Sequence, residues 1–102
     1  MQEEPFGPIA LLRSFRKMDD AVEVANSLPY GLAAYAFTAD AEKVDRLGQL
    51  LEAGMIGINH FAAVAADLPF GGLKESGWGA EQASEGILPY LETDLISVSK
   101  LA

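Results

Sequence analysis

The stretch Leu68-Pro69-Phe70-Gly71-Gly72-Leu73-Lys74-Glu75-Ser76-Gly77-Trp78-Gly79 decides how this chain is organised. Its four glycines and one proline exclude a regular helix or a central strand. Glycine permits positive φ and close backbone approach, while proline lacks a backbone donor. Composition alone favours a Gly-rich surface turn. The alternative is a loop that guides the backbone past a bulky neighbour and aims Phe70 and Trp78 at particular places.

Hydrophobic patterning on the N-terminal side of this stretch predicts alternating strands and helices. Apolar runs predict strands at 9–15, 32–37 and 55–59. Helices are predicted at 20–27, capped by Asp19, and from a cap at Asp40 through Glu52, with Gly54 as the glycine that ends the second helix. Strands that are apolar on both faces belong in parallel sheets. The fold class is therefore α/β, a parallel β-α-β-α-β sheet with covering helices.

The C-terminal side continues less regularly. After the Gly-rich loop, residues 80–88 are predicted to form a short helix that ends near Pro89. Residues 93–101 predict a last strand, in which apolar side chains alternate with polar ones. A strand of this kind needs a sheet edge to join, so it is expected at the edge of a sheet.

Composition excludes several classes of function. A chain of 102 residues makes at most one small domain, and half of its residues are hydrophobic, enough for a core. The net charge of −8 argues against a nucleic-acid partner, since phosphates would be repelled. The apolar run 56–66 is too short to span a membrane, so no membrane partner is expected. The acidic start Met1-Gln2-Glu3-Glu4 lacks the apolar region of a secretory signal, which favours the cytoplasm.

The chain has no cysteine and one histidine. These counts exclude a disulfide framework, a thiolate zinc site, a cysteine nucleophile and a multi-histidine metal site within this chain. No metal is expected.

Four motifs together point to a known family. Glu3-Glu4-Pro5-Phe6-Gly7-Pro8 and the pattern P-F-G-G-x-K-x-S-G-x-G occur in order with Tyr30-Gly31-Leu32-Ala33-Ala34 and Gly54-Met55-Ile56-Gly57-Ile58-Asn59-His60. In this combination the chain resembles the C-terminal part of the NAD(P)-dependent aldehyde dehydrogenase superfamily. The resemblance implies that residues 1–92 belong to the catalytic domain. It also implies that residues 93–102 form an oligomerisation strand that pairs with a neighbouring subunit, which makes a homo-oligomer the expected assembly.

The resemblance also implies site residues for the cofactor, which would be NAD or NADP in the parent enzyme. Glu4 would accept hydrogen bonds from the nicotinamide-side ribose hydroxyls, as the two oxygens of a carboxylate can. Phe6 would lie against the nicotinamide ring. The alternatives are a solvated carboxylate for Glu4 and an ordinary core phenylalanine for Phe6.

For the substrate, the resemblance implies a tunnel lined by His60, Phe61, Val64 and Phe70. His60 is equally well explained as a hydrogen-bonded loop residue. Lys74, Ser76, Gly77 and Gly79 are expected to hold the shape of the loop instead of touching the aldehyde. One departure is Ala80, where many relatives carry arginine, and this puts a local ion pair in doubt. Residues 62–66 are small and apolar, so they offer no anchor for a substrate carboxylate.

The resemblance implies a reaction that this chain cannot complete. It needs a cysteine thiolate that attacks the aldehyde and a glutamate general base, and both precede this region in family order. The chain alone is therefore predicted to be inactive and to hold no catalytic residue. The favoured interpretation is a C-terminal fragment of a dehydrogenase that oxidises an aldehyde, with a semialdehyde suggested by Asn59-His60-Phe61. The alternative is a stand-alone remnant that self-associates or docks on a longer dehydrogenase chain.

Overall fold

The structure is a computed structural model and describes residue 3 and residues 5–100. It has two α-helices, four short strands and one 3-10 helix. In chain order these are α1 (Met18–Asn26), β1 (Tyr30–Gly31), β2 (Ala33–Ala36), α2 (Ala41–Leu50), β3 (Met55–Ile58), β4 (Leu73–Lys74) and the 3-10 helix Leu88–Tyr90.

Strands β2 and β3 form a parallel pair joined by α2. Their register runs from Ala33 opposite Met55 to Ala36 opposite Ile58. Met55 and Gly57 point to the buried side of β3 while Ile56 and Ile58 are half-buried, the alternation expected of a strand. This confirms the predicted parallel pairing of the second and third apolar runs. The described residues contain this pair instead of the predicted three-stranded sheet.

Helix α2 begins where its cap was predicted. The Asp40 carboxylate accepts hydrogen bonds from the backbone N–H groups of Glu42 (3.1 Å) and Lys43 (3.4 Å), which have no partner inside the helix. The helix ends at Leu50, two residues earlier than predicted, because Leu51 is extended (φ −76°, ψ 127°). The prediction that Gly54 ends this helix is wrong. Gly54 is glycine because a Cβ there would overlap the carbonyl oxygen of Gly71.

Helix α1 begins one residue before the predicted cap. Lys17 is its N-cap and makes no side-chain hydrogen bond, so the prediction of Asp19 as the cap is wrong. Asp19 and Asp20 lie in the first turn, where negative charge is favourable because of the helix dipole. The Asp19 carboxylate accepts a hydrogen bond from the Arg46 guanidinium of α2 at 2.9 Å, so it links the two helices.

The predicted strand at 9–15 is wrong, and residues 93–100 of the predicted last strand are not in a strand either. Both segments are exposed along their length. The physical reason is the same in each case. A strand is held by backbone hydrogen bonds to a neighbouring strand. In the described ranges β2 pairs with β3 and β1 with β4, and neither apolar segment joins these pairs. Residue 101 lies outside the described residues.

The predicted helix at 80–88 is also wrong. Gln82 (φ 62°) and Ala83 (φ 47°) have positive φ, which breaks a right-handed helix. Glu81 instead pairs with Phe70 through two backbone hydrogen bonds of 2.7 and 2.8 Å. Turns then lead into the 3-10 helix Leu88–Tyr90, whose early proline costs no hydrogen bond.

Little of the apolar surface is buried. Among the described residues, Val22 of α1 (9% exposed) and Met55 of β3 (7%) are the only buried large hydrophobic side chains. Many other apolar side chains are exposed, and the Cα radius of gyration is 19.4 Å. A domain of about 100 residues usually has a radius of about 13 Å. Within the described ranges, neither helix is long and apolar enough to cross a lipid bilayer.

Candidate functional site

The candidate site consists of two loops. One is the Gly-rich segment (residues 68–79), and the other is the β3 loop (residues 59–67), which leaves the carboxyl end of β3. In parallel α/β sheets this end of the strands is where ligands gather. Strands β1 and β4 hold the first loop, with Tyr30 opposite Lys74 and Gly31 opposite Leu73 in an antiparallel pair.

Lys74 fastens the Gly-rich segment to both helices. Its ammonium group donates to the backbone carbonyls of Asn26 (2.9 Å) and Leu28 (3.2 Å) and forms an ion pair with the Glu52 carboxylate. Asn26 and Leu28 lie at the C-terminal end of α1, where carbonyls lack partners and positive charge is favourable. We call Lys74, Asn26, Leu28 and Glu52 the Lys74 clamp. Lys74 itself has positive φ (57°), an uncommon conformation for a residue with a side chain.

Further hydrogen bonds complete this attachment. The Gly31 N–H donates to the Ser76 hydroxyl (2.9 Å), and the Glu75 N–H donates to the Pro29 carbonyl (2.9 Å). Gly77 and Gly79 have φ values of 144° and 75° that only glycine adopts readily. These contacts and backbone angles agree with the prediction that Lys74, Ser76 and these glycines hold the shape of the loop, and the prediction that they do not touch the aldehyde stays a prediction.

Phe70 is half-buried and belongs to a shallow cleft. The cleft encloses about 180 Å³ and is lined by the Gly-rich segment together with Leu32, Ala80 and Glu81. The backbone pairing between Phe70 and Glu81 fixes where this ring leaves the main chain. Trp78 also borders the cleft, but its side chain is fully exposed. The cleft offers apolar walls and backbone groups to a ligand.

The β3 loop places an exposed histidine beside an aromatic cluster. His60 is exposed, and the Phe61 ring contacts those of Tyr35 (centroids 5.4 Å apart) and Phe37 (5.0 Å). These are tilted arrangements that favour aromatic pairs. Val64 is about half exposed. The structure therefore places Phe61 on the surface of β2, where it still presents 72% of its area to solvent.

The predicted tunnel residues fall into two groups. His60, Phe61 and Val64 share the β3 loop, whereas Phe70 lines a cleft that none of these three borders. The cleft at Phe70 therefore does not include the β3 loop, and a tunnel shared by all four residues stays a prediction.

The cofactor roles of Glu4 and Phe6 stay a prediction. Glu4 lies outside the described residues, and Phe6 is 97% exposed.

The titratable groups show no catalytic arrangement within residues 5–100. The pKa of the Asp40 carboxyl is lowered, mainly by its hydrogen bond from the Lys43 side chain, and Asp40 is a helix cap. Over the same range no three His, Asp or Glu side chains gather as metal ligands would. What the two loops can supply chemically is shape, apolar contact and the exposed imidazole of His60.

Sequence reasoning missed how the Gly-rich segment is anchored. The β1–β4 pair consists of two residues on each side, too short to leave a periodic pattern. One signal was available in the sequence. Lys74 lies between Gly71-Gly72 and the pair Gly77 and Gly79, and a lysine in a loop whose backbone otherwise relies on glycine indicates that its side chain has a structural task. Its partners at residues 26, 28 and 52 could not be read from spacing.

The chain is similar to known dehydrogenases over most of its length. The sequence model of the "Aldehyde dehydrogenase family" matches residues 1–96. A succinate-semialdehyde dehydrogenase [NADP(+)] of Deinococcus radiodurans is 44% identical over 94 residues, which cover 92% of this chain and 20% of the relative.

The chain is also similar to solved structures. An NADP-dependent enzyme of E. coli superposes with a TM-score of 0.84 at 44% identity, over 89% of this chain and 19% of the other. A betaine aldehyde dehydrogenase of Staphylococcus aureus, solved in complex with NAD+, gives a TM-score of 0.82 at 39% identity, over 87% and 18%. The chain thus spans about a fifth of the length of the relatives it matches.

Proposed function

Because this chain belongs to the aldehyde dehydrogenase family, we propose that it is the C-terminal part of an NAD(P)-dependent dehydrogenase. The complete protein would oxidise an aldehyde to a carboxylic acid. One observation carries this proposal. The chain covers about a fifth of its relatives, and within that fifth it holds the two loops and no cysteine nucleophile. Residues 1–92 would complete a catalytic domain whose nucleophile and general base belong to the preceding sequence.

In this proposal the chain contributes one wall of the aldehyde tunnel. Phe70 and Phe61 would offer apolar surface to the substrate, and Val64 would narrow the entrance. The half-burial of Phe70 and its fixed backbone pairing support this role. A wall of this kind excludes water and orients the aldehyde, while the bond-making groups come from elsewhere.

We propose a semialdehyde as the substrate class. The name of the Deinococcus radiodurans relative and the exposed His60 support this. Residues 62–66 carry no hydroxyl or cation, so His60 is the group in this loop that can meet the carboxylate of a semialdehyde. Any further cation for that carboxylate would belong to the rest of the parent.

The cofactor role proposed for Glu4 and Phe6 rests on the resemblance. The described residues do not surround a dinucleotide, so binding of NAD or NADP would require the parent's preceding domain. The isolated chain is accordingly proposed to be inactive. We propose a cytoplasmic location for the parent, as the acidic start Met1-Gln2-Glu3-Glu4 favours.

A second candidate, a stand-alone remnant that self-associates or docks on a longer dehydrogenase chain, is favoured by one observation. Leu95, Ile96 and Val98 are each more than 80% exposed, and such a surface promotes association. In the parent the segment 93–102 would form a strand with a neighbouring subunit in a homo-oligomer.

The first experiment measures the intact mass of the native protein, captured from its source with an antibody against residues 70–80. We expect a mass several times 10.9 kDa. The captured protein should produce NAD(P)H with semialdehydes, while the recombinant 102-residue chain should not. A native mass of 10.9 kDa would overturn the first candidate in favour of the second. Turnover by the 102-residue chain would contradict the assignment of the nucleophile to the preceding sequence.

A further inference from the structure

Asn59 makes an unusual connection at the end of β3. Its side-chain oxygen accepts a hydrogen bond from the Thr38 N–H (2.8 Å), and its side-chain nitrogen donates to the Thr38 carbonyl (2.9 Å). Its own N–H donates to the carbonyl of Ala36 (2.8 Å). The Asn59 amide therefore pairs with both backbone groups of a single residue on the segment that follows β2.

This pairing extends the parallel ladder by one step without extending the strand. The last backbone pair is Ala36 opposite Ile58, and beyond it the Asn59 amide takes the place of a peptide unit. Since the side chain satisfies Thr38, the main chain of Asn59 is free to turn away. It does so with φ of 63°, a conformation that asparagine tolerates better than most residues with a side chain.

The direction of this turn decides where the β3 loop lies. His60 follows immediately, and its carbonyl oxygen would be 2.8 Å from a Cβ at residue 57, so Gly57 must be glycine for the loop to pass. Phe61 comes next and contacts Tyr35 and Phe37 of the neighbouring segment. The Asn59 amide and the aromatic contacts of Phe61 thus both hold the β3 loop against β2 and the residues that follow it.

We propose that Asn59 is a positioning residue of the aldehyde tunnel, which acts through Phe61 and His60. The inference rests on the proposed function, because it assigns a purpose to a loop that the dehydrogenase would use for its substrate. Asn59 itself touches neither substrate nor cofactor in this assignment. Its amide fixes the backbone from which the two tunnel side chains extend.

Two substitutions separate the amide from the backbone conformation. Asn59→Asp keeps the size of the side chain but sets a carboxylate oxygen against the Thr38 carbonyl, so two acceptors face each other. Asn59→Gly adopts positive φ easily but lacks the amide. If the amide matters, both variants lose the loop's position. If only φ matters, the glycine variant behaves as wild type.

The chain supplies a matched control in Asn26. Its side-chain nitrogen donates to the Leu50 carbonyl (2.7 Å), and its oxygen accepts from the Glu52 N–H (2.9 Å), so it makes the same two kinds of bond away from the β3 loop. Asn26→Asp should therefore disturb the ends of the helices and leave hydrogen exchange at the backbone amide of residue 59 unchanged.

The test uses the full-length gene product, with aldehyde kinetics and amide hydrogen exchange measured on each variant. For both Asn59 variants we expect the backbone amide of residue 59, which donates to the Ala36 carbonyl, to exchange about tenfold faster, the loss of roughly one net hydrogen bond. The aldehyde KM should rise by a similar factor while the KM for the dinucleotide changes less than about twofold. If Asn59 served only the stability of the fold, its substitution would lower the amount of active enzyme without raising the aldehyde KM more than the dinucleotide KM.

Unchanged exchange at the backbone amide of residue 59 in both variants would overturn the inference, as would wild-type behaviour of Asn59→Gly. Faster exchange with an unchanged aldehyde KM would also overturn it, since the loop would then move without consequence for the substrate. A wild-type protein with no aldehyde-dependent activity would refute the proposed function, and the exchange experiment would still decide whether Asn59 positions the loop.

Discussion

Replacing Lys74 by methionine should loosen the Gly-rich segment. Methionine keeps most of the apolar stem but removes the ammonium that donates to the carbonyls of Asn26 and Leu28 and pairs with Glu52. The two carbonyls are exposed, so water replaces part of what they lose. Each bond is then worth about 0.5–1 kcal/mol, at the lower end of the usual range.

The charge terms add a smaller amount. A cation near the C-terminal end of a helix contributes about 0.3–1 kcal/mol. Because Glu52 is 54% exposed, its ion pair with Lys74 contributes about 0–0.5 kcal/mol after screening by solvent. The sum is about 2 kcal/mol, which corresponds to roughly a 30-fold change in the local opening equilibrium.

Native-state hydrogen exchange on the full-length gene product measures this opening directly. Two amides report on it: that of Glu75, which donates to Pro29, and that of Gly31, which donates to Ser76. Both should exchange about 30-fold faster in Lys74→Met. The matched control is Lys43→Met, which removes an exposed lysine from an ion pair within α2 and should change the same amides less than about twofold. Equal exchange in the two variants would refute the reasoning about the Lys74 clamp.

Gly54→Ala should destabilise the full-length protein by about 1–3 kcal/mol, because its Cβ would overlap the Gly71 carbonyl. Gly48→Ala, on the open face of α2, should stabilise the protein by about 0.5–1 kcal/mol. A thermal melt that ranks the two variants in the opposite order would contradict this. The lowered pKa of Asp40 means that the folded state favours its charged form. The stabilisation by Asp40 is therefore complete above about pH 4 and lost as the pH falls through the folded pKa. Asp40→Asn, which still caps, should flatten thermal stability in that window, and an unchanged pH profile would count against the assignment. The isolated chain should bind an apolar dye and elute as an oligomer, because so few of its apolar side chains are buried; monomeric elution without dye binding would contradict this.

The sequence predicted correctly those parts of the fold that depend on interactions between residues close together along the chain. The Asp40 cap is recognisable because an aspartate precedes a periodic apolar pattern, and the carboxylate needs only the next three residues to act. The pairing of β2 with β3 followed from two apolar runs joined by a helix of suitable length. Both predictions depend on residues close to one another along the chain.

The parts that failed depend on distant or conformational causes. Residues 9–15 and 93–100 carry several large apolar side chains, but a strand also needs a partner, and hydrophobicity does not say whether one is present. The helix predicted at 80–88 is interrupted by positive φ at Gln82 and Ala83, residue types that give no warning of it. For the candidate site, the loops and the shape-holding role of Lys74 were predictable. The separation of Phe70 from the β3 loop was not, since it depends on how the two loops leave their strands.

The pairing of β1 with β4 has a consequence for the order in which this region assembles. The two strands are roughly 40 residues apart in sequence, but the Gly54 N–H donates to the Gly31 carbonyl once β2 and β3 have paired. The loop that remains to be closed is then only about half as long, which saves roughly 0.7 kcal/mol of closure entropy. Substitutions between β2 and β3 should therefore slow folding, whereas substitutions in the Lys74 clamp should mainly accelerate unfolding. The Gly-rich segment, which shapes the candidate site, would thus be among the last parts to fold and the first to unfold.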